Sequence, residues 1–200
     1  MKKTALFVIG ATLLFLAGFA QAETFTLNSF TVTANNADPG LLINTAPVLS
    51  TPHSWDLDVG QSVTFNLFRI WTPEAWVNPD DVVAKPISVA FNWTAPPGTF
   101  PNDATGLTRG VATWFGQYGQ VTWDNPTYFD FGDGGQFHLA LSDATFNYGF
   151  FGLKEGWCYG ANIEATLTYD SASVPEPSAL LLLGLGLVGL AGTARKRVRG

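Results

Sequence analysis

Ile87-Ser88-Val89-Ala90-Phe91-Asn92-Trp93 alternates large apolar side chains with small or polar ones. Successive side chains of an extended chain point to opposite faces, so a strict period of two predicts a β-strand with one face in a core. The same pattern lies upstream at Phe25/Leu27, Trp55/Leu57/Val59 and Val63/Phe65/Leu67. Downstream it recurs at Val121/Trp123, Phe129/Phe131, Phe137/Leu139/Leu141 and Ile163/Ala165/Leu167/Tyr169. No stretch between these segments repeats apolar residues at helical spacing for three turns. Turn formers stand between the segments: Asp38-Pro39-Gly40, Val59-Gly60, Asn78-Pro79-Asp80-Asp81, Pro96-Pro97-Gly98, Asn125-Pro126 and Gly132-Asp133-Gly134-Gly135. Eight or more short strands, each with one polar face, predict an all-β antiparallel β-sandwich of jelly-roll type, with a closed barrel as second choice. Trp55, Trp93 and Trp123 share parity with aliphatic neighbours and are expected in the core.

The patterned region, residues 23–170, is long enough for one domain with a proper core. All 16 acidic residues fall between Glu23 and Glu176, against only Arg69, Lys85, Arg109 and Lys154 of the 10 basic ones, which leaves that part at −12. So acidic a body argues against nucleic acid or anionic lipid as a partner. Cys158 is alone, so no internal disulfide forms, and it is expected to be buried and inert.

Both ends depart from the strand pattern. Lys2 and Lys3 precede an uncharged run from Thr4 to Phe19, and Ala20 and Ala22 are small residues at the two positions a signal peptidase reads. Residues 1–22 are expected to be a secretory signal peptide, with the mature chain beginning at Glu23. At the other end a linker, residues 171–178, carries Val174-Pro175-Glu176-Pro177-Ser178. Residues 179–194 follow, with seven leucines among Gly and Ala, and then a basic tail, residues 195–200, with Arg195, Lys196, Arg197 and Arg199. The leucines favour membrane insertion by roughly 3 to 4 kcal/mol. As a helix the run spans about 24 Å against a hydrocarbon core of about 30 Å, a gap that Arg195 narrows by snorkelling. Basic residues on one side place the C-terminus in the cytoplasm and the body outside.

A Pro-Glu-Pro plug, one apolar span and a terminal basic cluster, in that order, resemble the PEP-CTERM sorting signal of exported proteins in Gram-negative bacteria. The resemblance implies an inner-membrane precursor, cut by the membrane protease exosortase at or near Pro175-Glu176-Pro177, and a mature form at the cell surface or outside the cell. Exosortase and signal peptidase would then be its processing partners. Ser62–Phe68 and Phe137–Phe151 also resemble a body type found with such tails, which brings no known activity. Tails of this kind are in addition labelled as the C-terminal domain of ice-binding proteins. The body has no regular Thr-x-Thr ladder, so antifreeze activity is not expected.

Groups able to do chemistry are few. His53 and His138 are the two histidines, and His138 falls on the opposite strand face from Phe137 and Leu139, which makes it a sheet-surface residue. No Gly-x-Ser-x-Gly occurs, and one Cys with two distant His makes no typical zinc site. Glu74, Asp80, Asp81 and Asp130 offer carboxylate pairs for glycoside hydrolysis, but among 16 acids some pair always suggests itself. Asp130 to Gly135 and Asp80-Asp81 supply oxygen ligands suited to calcium, although Asp and Gly are also what plain tight turns use. No catalytic residue, cofactor or metal is therefore expected, calcium being the one candidate. Trp76 and Trp157 stand in turn-like surroundings; packing over the ends of the sandwich is the reading preferred to exposure for sugar stacking. Asn92-Trp93-Thr94 is a weak match to a glycosylation acceptor. The expectation is an exported, non-enzymatic surface or matrix protein associated with exopolysaccharide, as in a biofilm. A carbohydrate-binding module is the alternative, and a glycan-active hydrolase comes third.

Overall fold

The computed structural model describes residues 22–173 and Gly184. Eleven strands follow one another in this region. The first five are β1 (Glu23–Thr33), β2 (Asn44–Pro47), β3 (His53–Leu57), β4 (Ser62–Trp71) and β5 (Lys85–Ala95). Next come β6 (Ala104–Thr113), β7 (Gly116–Trp123), β8 (Thr127–Phe131), β9 (Gly135–Leu141), β10 (Ala144–Gly149) and β11 (Ala161–Ser171). They form two antiparallel sheets, β10-β7-β6-β5-β1-β3 and β2-β4-β11-β9-β8. The expected antiparallel sandwich is the fold.

On β5 the alternation works as read: Ile87, Val89, Phe91 and Trp93 are buried, and the residues between them face outward. The sheets interlock through aromatic edges. Phe25 of β1 meets Phe137 of β9 and Tyr169 of β11, each at 5.1 Å between ring centres, and Trp93 meets Phe137 at the same distance. Edge-to-face rings of this kind add about 0.5–1.5 kcal/mol per pair to the burial of their area.

β2, β6 and β10 fall outside the segments read as alternating in the sequence. On β6 the inward positions are Ala104, Gly106, Thr108 and Gly110, all buried. The alternation of burial is intact, but it is written in small residues because large neighbours fill the space above them. Trp123 packs over Gly106, and the ring of Phe146 lies where a side chain on Gly119 would be. On β10 a register shift between Phe146 and Gly149 turns both Phe146 and Asn147 inward.

Three core expectations need correction. Trp55 is only half-buried, because β3 is an edge strand; its ring stacks on Phe65 at 4.4 Å. Val59 is exposed in the turn closed by the Gln61 N–H to the Asp58 carbonyl (2.9 Å). Cys158 is exposed rather than buried, since it lies outside both sheets in a 3₁₀ turn, Trp157–Tyr159.

Both chain ends of the sandwich sit at one pole. Glu23 opens β1 close enough to Tyr169 to act on its hydroxyl, and the Ser171 hydroxyl donates to the Gly134 carbonyl (2.9 Å) at the end of β11. The other pole gathers the end of β4, the start of β11, the end of β10 and the β6–β7 hairpin tip. β11 alone runs 11 residues between the poles, about 35 Å at strand rise.

Ala22 is exposed immediately before β1. Ala20, Val174 to Ser178, the apolar run 179–194 (Gly184 apart) and Arg195, Lys196, Arg197 and Arg199 lie outside the described residues. Among the described residues, no helix is long and apolar enough to cross a membrane.

Candidate functional site

The pole away from the chain ends carries a cluster of bare aromatic rings. Trp76 is 60% exposed and Trp114 99%, and Phe115, Phe150 and Phe151 are exposed beside them. Scattered exposed apolar residues are ordinary, but a contiguous group marks a surface used for contact. Trp76, Trp114, Phe150 and Phe151, with Ala112, Thr113 and Gln117, line an open cleft of about 510 Å³. That volume falls within the range of small-molecule sites, about 300–1,000 Å³.

Local hydrogen bonds set each wall. Trp114 and Phe115 form the tip of the β6–β7 hairpin, where the Thr113 hydroxyl donates to the Gly116 carbonyl (2.9 Å). The Tyr148 hydroxyl donates to the Phe115 carbonyl (2.9 Å) and joins that tip to β10. Phe150 and Phe151 leave β10 in a turn so tight that the Gly152 carbonyl occupies the place of a Gly149 side chain. Their rings meet edge to face at 4.6 Å. Trp76 rides on the β4–β5 loop, anchored by Leu153 N–H to the Ala75 carbonyl (2.8 Å) and by Val77 N–H to Gln117 Oε1 (2.7 Å). With its oxygen engaged, Gln117 keeps its Nε2 donors free of protein acceptors among the described residues.

Asn147 ties these pieces together. It is fully buried, at φ 55°, a left-handed conformation that Asn tolerates better than most residues. Its Oδ1 accepts from Thr72 N–H (3.0 Å), and its Nδ2 donates to the carbonyls of Lys154 and Gly156. One side chain thus fixes the start of the Trp76 loop to the segment after Phe151.

The sequence candidates fall elsewhere or take structural roles. Glu74 and Asp81 do come together, but the carboxylates of Glu74, Asp80 and Asp81 each accept from a backbone N–H, those of Leu42 (2.6 Å), Gly40 (2.9 Å) and Asn78 (2.6 Å) respectively. Burial pushes Glu74 up to about 7; the Leu42 N–H opposes that shift, and the neighbouring Asp81 and Asp38 carboxylates reinforce it. Asp130 belongs to the β8–β9 hairpin and accepts from Gln136 Nε2 (2.8 Å). Gly132 and Gly134, at φ 52° and 80°, shape that hairpin turn. Among the described residues, no three His, Cys, Asp or Glu side chains gather to hold a metal ion.

His138 stands on the outer face of β9, as expected, with Nδ1 2.7 Å from Asp170. His53 lies on the other sheet, its ring tilted against that of Trp55 at 4.7 Å. Asn92 sits in mid-strand facing outward. Trp157 and Trp76 both remain more than half exposed, which corrects the expectation that they pack over the ends. Their faces differ. The Arg69 guanidinium covers the Trp157 ring at 4.6 Å while donating to the carbonyls of Trp157 (2.9 Å) and Gly160 (2.9 Å), whereas Trp76 stands in the open cleft. Sequence reasoning passed over Trp114, Gln117, Phe150, Phe151 and Asn147. One signal was there: adjacent aromatics such as Phe150-Phe151 cannot both point inward from a regular strand.

Comparison with known proteins adds one match, confined to the tail. Residues 173–197 match the PEP-CTERM protein-sorting motif. No curated protein and no solved structure matches the chain. The PEP-CTERM motif supports an exported protein, sorted by exosortase from a membrane precursor to a surface or extracellular form. It begins two residues after β11 ends, at the pole opposite the aromatic cleft.

Proposed function

We propose that the chain is a non-enzymatic protein of the cell surface or the exopolysaccharide matrix, held at the inner membrane by its tail until exosortase releases it. The observation that carries this reading is the PEP-CTERM motif placed directly behind a sandwich whose two ends share one pole. In this reading signal peptidase removes residues 1–22, recognising Ala20 and Ala22. Residues 179–194 then span the inner membrane, with Arg195, Lys196, Arg197 and Arg199 inside. Val174 to Ser178 form the sequence that exosortase reads. A tether at one pole points the other pole outward. The structural engagement of Glu74, Asp80, Asp81, Asp130 and His138 supports a non-catalytic role. The aromatic cleft favours one more specific reading, a carbohydrate-binding body.

Mass spectrometry of the mature protein from hosts with and without exosortase tests the sorting reading. In the positive host the chain should end at or near Pro175-Glu176-Pro177, and in the negative host it should retain its tail. Glu176→Gln keeps size and both prolines but removes the charge, so loss of processing is expected if that carboxylate is recognised. An intact C-terminus through Gly200 in the positive host would make the tail a simple anchor.

A further inference from the structure

We propose that the cleft between Trp76, Trp114, Phe150 and Phe151 binds an internal segment of a neutral polysaccharide. The proposal rests on the matrix reading only for where the partner is met; the chemistry comes from the cleft. A pyranose ring presents a flat face of C–H bonds and a rim of hydroxyls. The C–H face suits the negative face of an aromatic ring, and the rim needs hydrogen-bonding groups beside it. The cleft offers both, as bare rings next to the uncommitted Nε2 donors of Gln117. Gln117 is held in place by Val77, so little ordering is left for the ligand to impose.

Charge selects the class of glycan. None of the residues lining the cleft is charged, and the body around it carries −12, which repels uronates, phosphates and sulfates. Shape selects an internal segment, because an open cleft requires no chain end.

Two other occupants fit less well. The lipid surface that holds the tail is at the wrong pole, about 35 Å of strand away. A second copy pairing along the β10 edge meets the irregular register between Phe146 and Gly149, which breaks the ladder where the rings stand.

Trp114 gives a clean test because its ring is almost wholly in solvent, so its removal leaves the fold alone. The full-length protein in zwitterionic nanodiscs is titrated calorimetrically with soluble neutral glucans, mannans, galactans and xylans, and with alginate as an acidic comparison. At least one neutral polymer should bind and alginate should not. Trp114→Ala and Trp76→Ala should each weaken binding about tenfold or more, the effect of removing one dominant contact residue. Gln117→Glu keeps the acceptor for Val77 but loses the donors, and should weaken binding as well. Trp157→Ala should leave it unchanged. Absence of binding across the neutral panel, or binding indifferent to Trp114→Ala, overturns the proposal. So does a dimer in sedimentation that Trp114→Ala dissociates, which would make the occupant a second copy. None of these results alters the C-terminal mass, so the sorting reading stands or falls separately.

Discussion

Asn147 and Glu74 show how single side chains hold the loops of this protein, and each carries a prediction. Asn147→Asp keeps the acceptor for Thr72 but turns a lone pair toward the carbonyls of Lys154 and Gly156. Leaving buried polar groups without partners costs about 1–3 kcal/mol each, so urea denaturation should show a loss of roughly 3 kcal/mol. Asn147→Gly fits φ 55° better than Asn147→Ala, and should be less damaging by about 1 kcal/mol. Glu74 is raised from 4.5 to about 7, so the fold favours its protonated form. Its contribution to stability is complete below about pH 4.5 and is lost as pH rises through about 7. Glu74→Gln keeps an oxygen for the Leu42 N–H and cannot ionise. Its melting temperature should match that of the parent at acid pH and exceed it increasingly as pH rises through neutrality.

At the scale of elements, β6 and β7 depend on what their inward faces leave out. The Phe146 ring fills the place of a side chain on Gly119, and Trp123 does the same over Gly106. Gly119→Ala forces Phe146 out of a closely packed site and should cost about 1–3 kcal/mol by chemical denaturation. Phe146→Ala empties the same site and should cost about 3–5 kcal/mol. The double variant should lose less than the sum of the two, because one methyl refills part of the hole. β6 was hidden from periodicity for the same reason: volume is shared between neighbours, so the small partner of each pair has no apolar side chain to count. β5 and β9 were legible because they contribute the large partner.

Across the whole molecule, the strands and their core lie between Glu23 and Ser171, so residues 23–173 alone should fold as a soluble domain whose far-ultraviolet circular dichroism shows strand and almost no helix. A strong helical spectrum would contradict the sandwich. Sequence by itself determined the all-β class, most of the core and the sorting motif, because each is a local signal: period-two alternation, turn residues, and a fixed order of plug, apolar run and basic cluster. Only the tertiary structure decided that Trp76, Trp114, Phe150 and Phe151 share one cleft, since they come from three separate connections brought together by strand pairing and Asn147. It also decided that one face of the half-exposed Trp157 ring is covered by Arg69, 88 residues away in the chain, while Trp76 stands in the cleft. Such contacts are set by sheet order, and a linear pattern of apolar and polar residues does not encode which strands become neighbours.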